Sequence, residues 1–207
     1  RSWYFVKPAM SDVDRFERAI QRIDDANRED PISELVDGVE QPKEWVYGKR
    51  MQGWVERLDP HAPEALRLAA RSQHIRRWEI PRSDYPMDRK GYLRWRTMLY
   101  THHADCASEV LRAEEYDVET IERIRALLQK RNLRTDGDVQ TLEDAAALVF
   151  LDHHLDDFLA RDDIGEEKAI DIIRKTWKKM TERGHAAAAA LELSPESTAL
   201  LKKALTD

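Results

Sequence analysis

The stretch Thr141–Leu159, TLEDAAALVFLDHHLDDFL, decides the fold class. At ~100° of rotation per residue, Leu148, Leu151 and Leu155 fall within roughly 40° of Asp144. The segment therefore reads as one long amphipathic helix with a carboxylate on its apolar stripe. Thr141 followed by Asp144 looks like a capping-box start. A carboxylate on a buried stripe needs a partner, a metal or a proton. Asp144 is thus either a cap or arginine partner, or part of a site. His153 lies about 180° from Asp144, and His154 is about three turns further along, so Asp152–His154 reads mainly as a polar face.

The same periodicity extends in both directions. Ser11 with Asp14 opens a helix whose apolar face is Val13, Phe16, Ile20 and Ile23. Pro42 suits the first turn of a second helix, with Trp45, Met51, Val55 and Leu58, that stops at Pro60. A third runs from Pro63 to His74, a fourth from Tyr92 to Ala113, and a fifth starts at a cap on Asp117. After Thr141–Leu159, a further helix spans Glu166–Met180. The alanine run Ala186–Ala190 and the segment after Pro195 read as one or two more. Strand signals are confined to Trp3–Val6, and Gly38 and Val39 fall in a polar loop. The expected fold is all-α: a single bundle of about seven to eight helices over residues 11–207. Residues 1–10 read as a leader or an added segment.

Between the third and fourth helices lies His74–Arg96, HIRRWEIPRSDYPMDRKGYLRWR. Helix–helix connections usually span about 2–8 residues, and longer ones tend to be functional or disordered. Trp78, Ile80, Tyr85, Met87, Tyr92 and Trp95 argue for order. Arg77 and Arg82, flanked by prolines and aromatics, are the best cations here for bidentate capture of phosphate or carboxylate, with Arg96 on the following helix. Lys130 and Arg131 form a second basic end after the fifth helix. If the two ends meet, they make an anion pocket on an acidic protein. His74 closes the third helix, where the dipole favours an imidazole. His103 shares the apolar face of Leu99, Ala107 and Val110, whereas His102 lies on a mixed face with Trp95, Met98 and Glu109.

The chain has 207 residues, 36% of them charged, and a net charge of -6. That balance argues against bulk, sequence-independent nucleic-acid binding, which needs a cationic excess. No apolar run approaches the ~18 residues of a membrane span. The single cysteine, Cys106, forms no internal disulfide and reads as a core residue; it fits a reducing, cytoplasmic setting. Oligomeric state stays open. Phosphate-binding glycine loops, a GxSxG elbow, HExxH and paired-cysteine sites are absent from the sequence.

Several long strings in order, RFERAIQRIDDANREDP, QPKEWVYGKRM, AARSQHIRRWEIPRSDYPMDRKGYLRWR, LLQKRNL, VQTLEDAAALVFLDHH and IRKTWKKMTERGH, resemble the uncharacterised domain-of-unknown-function family 4202. More distantly, the chain resembles the HD-domain phosphohydrolases, helical bundles that hold one or two metals through a histidine, a His-Asp pair and a later aspartate. That resemblance implies His74, His103 and Asp144 as ligands of a divalent ion (Mn, Fe, Zn or Mg). Ile75 stands where the paired aspartate would be, and Tyr47 where the first histidine would be. Glu44 or Glu143 would have to substitute, with Asp144 and Glu143 as catalytic carboxylates. The implied function is a metal-dependent hydrolase for a small phosphorylated or anionic metabolite. The alternative is a non-catalytic anion-binding domain.

Overall fold

The computed structural model describes residues 12–206, so the expectations for residues 1–10 and for a cap at Ser11 lie outside the described residues. Ten α-helices appear among them: α1 (Asp12–Arg28), α2 (Lys43–Leu58), α3 (Glu64–Arg71), α4 (Arg89–Ala113), α5 (Val118–Leu128), α6 (Gly137–Val149), α7 (Leu155–Leu159), α8 (Glu166–Trp177), α9 (Glu182–Ala189) and α10 (Pro195–Thr206). The chain forms a single compact domain, mostly α-helical as the periodicity predicts. No helix of the described residues is long and apolar enough to cross a membrane.

The helix α2 is the centre of the bundle and packs on α1, α3 and α6. Its face of Val46, Met51, Trp54, Val55 and Leu58 is buried. Leu66, Leu68, Ala69 and Ala70 of α3 meet it, as do Leu142, Ala145, Leu148 and Val149 of α6. A Cβ at Gly48 would stand 2.8 Å from the carbonyl oxygen of Arg71, so the end of α3 can approach α2 only because this position has no side chain. Arg71 in turn grips Asp24 of α1 with two hydrogen bonds of 2.6 and 2.7 Å, tying the first and third helices together.

Four features differ from the sequence reading, apart from shifts of three residues at the start of α4 and the end of α8. In place of the polar loop around Gly38 there is a hairpin, β1 (Ser33–Val36) against β2 (Val39–Pro42), with Val36 opposite Val39. Asp37 and Gly38 both have positive φ, 51° and 79°, the conformation a two-residue hairpin turn needs and Asp-Gly favours. The helix α3 ends at Arg71, not His74; His74 falls in the following turn, where Arg76 is left-handed (φ 50°). The helix α6 starts on Asp136, which accepts from the amides of Asp138 and Val139, so Thr141 is no cap. Finally, Phe150–His154 winds as a π-helix and separates α6 from α7. That extra residue in the turn breaks the 100° rotation that relates Asp144 to the histidines.

Asp144 is fully buried in mid-α6 and holds the C-terminal helices in place. Its Oδ1 accepts the amide of Thr181 at 2.9 Å and its Oδ2 accepts the Thr181 hydroxyl at 2.5 Å. Thr181 in turn caps α9 through the amide of Gly184. A Cβ on Gly184 would lie 2.7 Å from the Asp144 carboxyl carbon. Gly184→Ala is therefore expected to destabilise the protein by about 1–3 kcal/mol through overpacking. Asp144→Ala should destabilise by a similar or larger amount by orphaning the Thr181 donors. In urea unfolding, the double variant should lose less than the sum, because removing the carboxylate also removes the clash.

Candidate functional site

The turn after α3, the first turn of α2 and the N-terminal half of α4 enclose a cavity of two lobes. The narrow lobe, about 190 Å3, is lined by Tyr47, His74, Arg77, Arg96, His103 and Lys130, together with Tyr92, Trp95 and Tyr100. The wide lobe, about 510 Å3, shares Tyr47, His74, Arg77 and Ala146 with it and adds Lys43, Glu44, His154, Asp157 and Arg161. The two basic ends of the sequence do meet here: Arg77 and Arg96 come from the first, Lys130 from the second.

His74 stands on the wall shared by the lobes. Its ring stacks on Tyr47 at 3.8 Å and 6° between planes. Its Nδ1 lies 2.9 Å from Oε2 of Glu44, and Arg77 Nη1 donates to its Nε2 at 3.4 Å. The side chain remains 22% exposed, which leaves the ring open to a ligand. Burial, reinforced by Arg77, holds the His74 imidazole well below the usual histidine range, so it is neutral at pH 7. Burial pushes the Glu44 carboxyl up to about 7, against the opposing pull of Arg77 and Lys43. As a carboxylate, Glu44 accepts the Nδ1 proton and leaves the Nε2 lone pair of His74 facing Arg77 and the cavity. A protonated Glu44 would impose the opposite tautomer.

His103 is buried, and its Nδ1–H donates to the carbonyl of Ile75 at 2.8 Å. Its Nε2 is buried with no protein partner. The ring lies 5.7 Å from that of His74, and burial first, then His74, keeps it neutral. A neutral imidazole with its other nitrogen fixed to a carbonyl presents a defined acceptor toward the lobe.

The cations differ in availability. Arg77 packs over the Trp95 ring at 4.8 Å and faces both lobes. Arg96 donates to the Tyr100 hydroxyl and lies over the Tyr92 and Tyr100 rings. Lys130 pairs with Glu143 at 2.6 Å; burial raises that carboxyl, but Lys130 outweighs it and holds the acid below its usual range. Glu143 therefore positions Lys130 and is not among the residues lining either lobe.

Other candidates are placed elsewhere. Arg82 turns back on its own loop and donates to the carbonyls of Tyr85, Pro86 and Asp88, so it clips the connection. Arg131 is exposed and lines neither lobe. Asp144 points to Thr181, on the opposite side of α6 from Ala146, which faces the cavity. Ile75 is a core residue, 1% exposed. Among the described residues, no three ligand atoms from Glu44, His74, His103 and Asp144 converge within 4.8 Å. An HD-type metal centre does not fit these side chains, and the chemistry of the cavity is that of its own residues. The contribution of Tyr47, Trp95, Tyr100, Lys43 and His154 escaped the sequence reading; for His154 the cause is the π-helix, which turns it toward the wide lobe.

The raised Glu44 carboxyl has a measurable consequence. The folded chain keeps this proton up to about pH 7, whereas an unfolded glutamic acid releases it near ~4.3. Stability contributed by the retained proton is complete below the unfolded value and is lost as pH rises through the folded one. Wild-type stability relative to Glu44→Gln should fall between pH 5 and pH 8, by on the order of 3 kcal/mol. Urea unfolding of both proteins at the two pH values checks this, and imidazole 15N shifts of His74 should report the tautomer change near pH 7.

No curated protein matches the chain, and no solved structure does. The family described as Domain of unknown function (DUF4202) matches residues 17–201, nearly the whole of the domain just described. The chain is therefore a member of the DUF4202 family.

Proposed function

We propose that this protein is an enzyme that captures a small anionic metabolite, of which a phosphorylated one suits the cavity best, and works on it by proton transfer through His74. One observation carries the reading. The narrow lobe is lined by three cations, Arg77, Arg96 and Lys130, with no carboxylate in its lining and two neutral histidines beside them. Such a lobe favours a compact anionic group, and Arg77 can present a planar fork to it. The wide lobe has room for the remainder of the ligand.

In this reading Arg77, Arg96 and Lys130 hold the anion, and Trp95 backs the Arg77 guanidinium with its ring. His74, kept neutral and oriented by Glu44, takes a proton at Nε2 from the attacking group once Arg77 has turned from Nε2 to the anion. In the hydrolytic case that the HD resemblance implies, that group is a water whose oxygen bonds to the phosphorus while the bond to the leaving group breaks and the leaving group takes a proton from solvent. His103 Nε2 accepts a hydrogen bond from a ligand hydroxyl. The proton accepted by His74 is stabilised by the Glu44 carboxylate on the far side of the ring, the arrangement by which a carboxylate supports a general base.

A panel of phosphorylated and carboxylated metabolites, screened by thermal shift and then for turnover, tests the reading. Arg77→Ala should weaken binding of a hit by about 10–100-fold, the effect of a charged hydrogen bond. His74→Gln should leave binding within a few-fold while lowering turnover by ~100-fold or more. A hit that binds the wild type, needs Arg77 and is never turned over would instead establish an anion-binding module.

A further inference from the structure

The second histidine of the pair faces the other way. His102 points off α4 to the Arg76 carbonyl and the Glu79 carboxylate and lines neither lobe of the cavity. There Glu79, His102 and Cys106 bring one ligand atom each to within 4.8 Å of one another. His102 and Cys106 are four residues apart on α4 and so share one face of it. Glu79 comes from the connection opposite.

Two of the three separations lie near those of a coordination sphere, and the sulfur, now 3.9 Å from Nδ1, comes to face Nε2 on rotation of the His102 ring. His102 Nε2 lies 3.4 Å from a Glu79 carboxylate oxygen and 3.7 Å from Cys106 Sγ. Ligand bonds of ~2.0–2.1 Å for nitrogen, ~2.0–2.2 Å for oxygen and ~2.3 Å for sulfur, set at tetrahedral angles, give edges of ~3.3–3.6 Å. Of the three groups, His102 alone has a firm partner outside the cluster. His102 Nε2–H donates to the carbonyl of Arg76 at 2.9 Å, the thiol has only the imidazole within 3.7–3.9 Å, and Glu79 is partnered by a loose Arg76 contact of 3.9 Å. An exposed ion pair of that length is easily given up.

We infer that Glu79, His102 and Cys106 form a transition-metal site, of the zinc class, that fastens the His74–Arg96 connection to α4. The donor set decides the class: one thiolate excludes magnesium and calcium, and a mixed S, N, O set with a fourth position open matches zinc-type ions. Binding replaces the thiol proton, which leaves to solvent, by the Cys106–metal bond. The Nε2 proton of His102 passes to Nδ1, so the hydrogen bond to the Arg76 carbonyl is given up and Nε2 is free to ligate. Thiolate and carboxylate together neutralise a divalent ion. Entry is from solvent, since Glu79 is exposed and Cys106 lines an open cleft between α1 and α4. This inference stands apart from the proposed enzymatic reading.

Cobalt(II) titration of reduced, untagged, metal-free protein tests the site. The expected result is one equivalent bound with a near-ultraviolet thiolate-to-cobalt band and tetrahedral visible bands, both erased by added zinc. Cys106→Ser should abolish the charge-transfer band. Glu79→Gln, a surface change with little risk to folding, should weaken binding by more than the ~10-fold typical of losing a supporting hydrogen bond. His74→Gln should leave the titration unchanged. Absence of the band in the wild type, its survival in Cys106→Ser, an unchanged affinity in Glu79→Gln or its loss in His74→Gln would each overturn the inference.

Discussion

Three successive residues in one turn hold most of this site, and they can do so only because Arg76 is left-handed. With φ at 50°, the backbone reverses between Ile75 and Arg77. Ile75 is driven into the core while its carbonyl fixes His103; the Arg76 carbonyl fixes His102; Arg77 emerges into the cavity. A left-handed residue with a Cβ costs roughly 1–2 kcal/mol. Asn27 of α1 helps hold it, its side-chain oxygen accepting the Arg76 amide at 3.1 Å. Whatever loosens that turn loosens both histidines together.

This explains why Ile75 is no defect. Where the HD resemblance asks for a metal-binding aspartate, the chain has an apolar anchor that seats the turn. Tyr47, where that resemblance asks for a histidine, is the plate on which His74 lies. Asp144, the carboxylate that most resembles a ligand, has become the post to which Thr181 and α9 are tied. The positions are occupied by side chains suited to holding still an imidazole or a helix.

The sequence showed the helices, the inward bearing of Asp144 and His103, and two basic ends, though not that they meet, because 3.6-residue periodicity and charge clustering are local signals. It did not show what each inward group faces. Asp144 and His103 both lie on buried stripes, yet one meets a threonine amide and the other a cavity, and only the packing of α6 against α9 and of α4 against the turn decides which. Arg82 looked the best anchored cation, and the prolines around it are the reason it is unavailable: the rigid loop presents three carbonyls to it. Glu44 was visible only as a stand-in ligand, although burial makes it the group that sets the tautomer of His74. The Asp37-Gly38 dipeptide is itself a hairpin signal, masked by the polarity of the residues around it.

The close pairing of Glu44 and His74 gives the cavity a proton ledger of its own. Both groups sit where charge is poorly solvated, so the tautomer of His74 follows the ionisation of Glu44. In the proposed reading His74 serves as a base only where Glu44 is ionised. The working range of the cavity then opens as pH rises through about 7, the value to which burial pushes the Glu44 carboxyl. In that reading the output of this cavity follows the acidity of its surroundings as much as the abundance of its ligand.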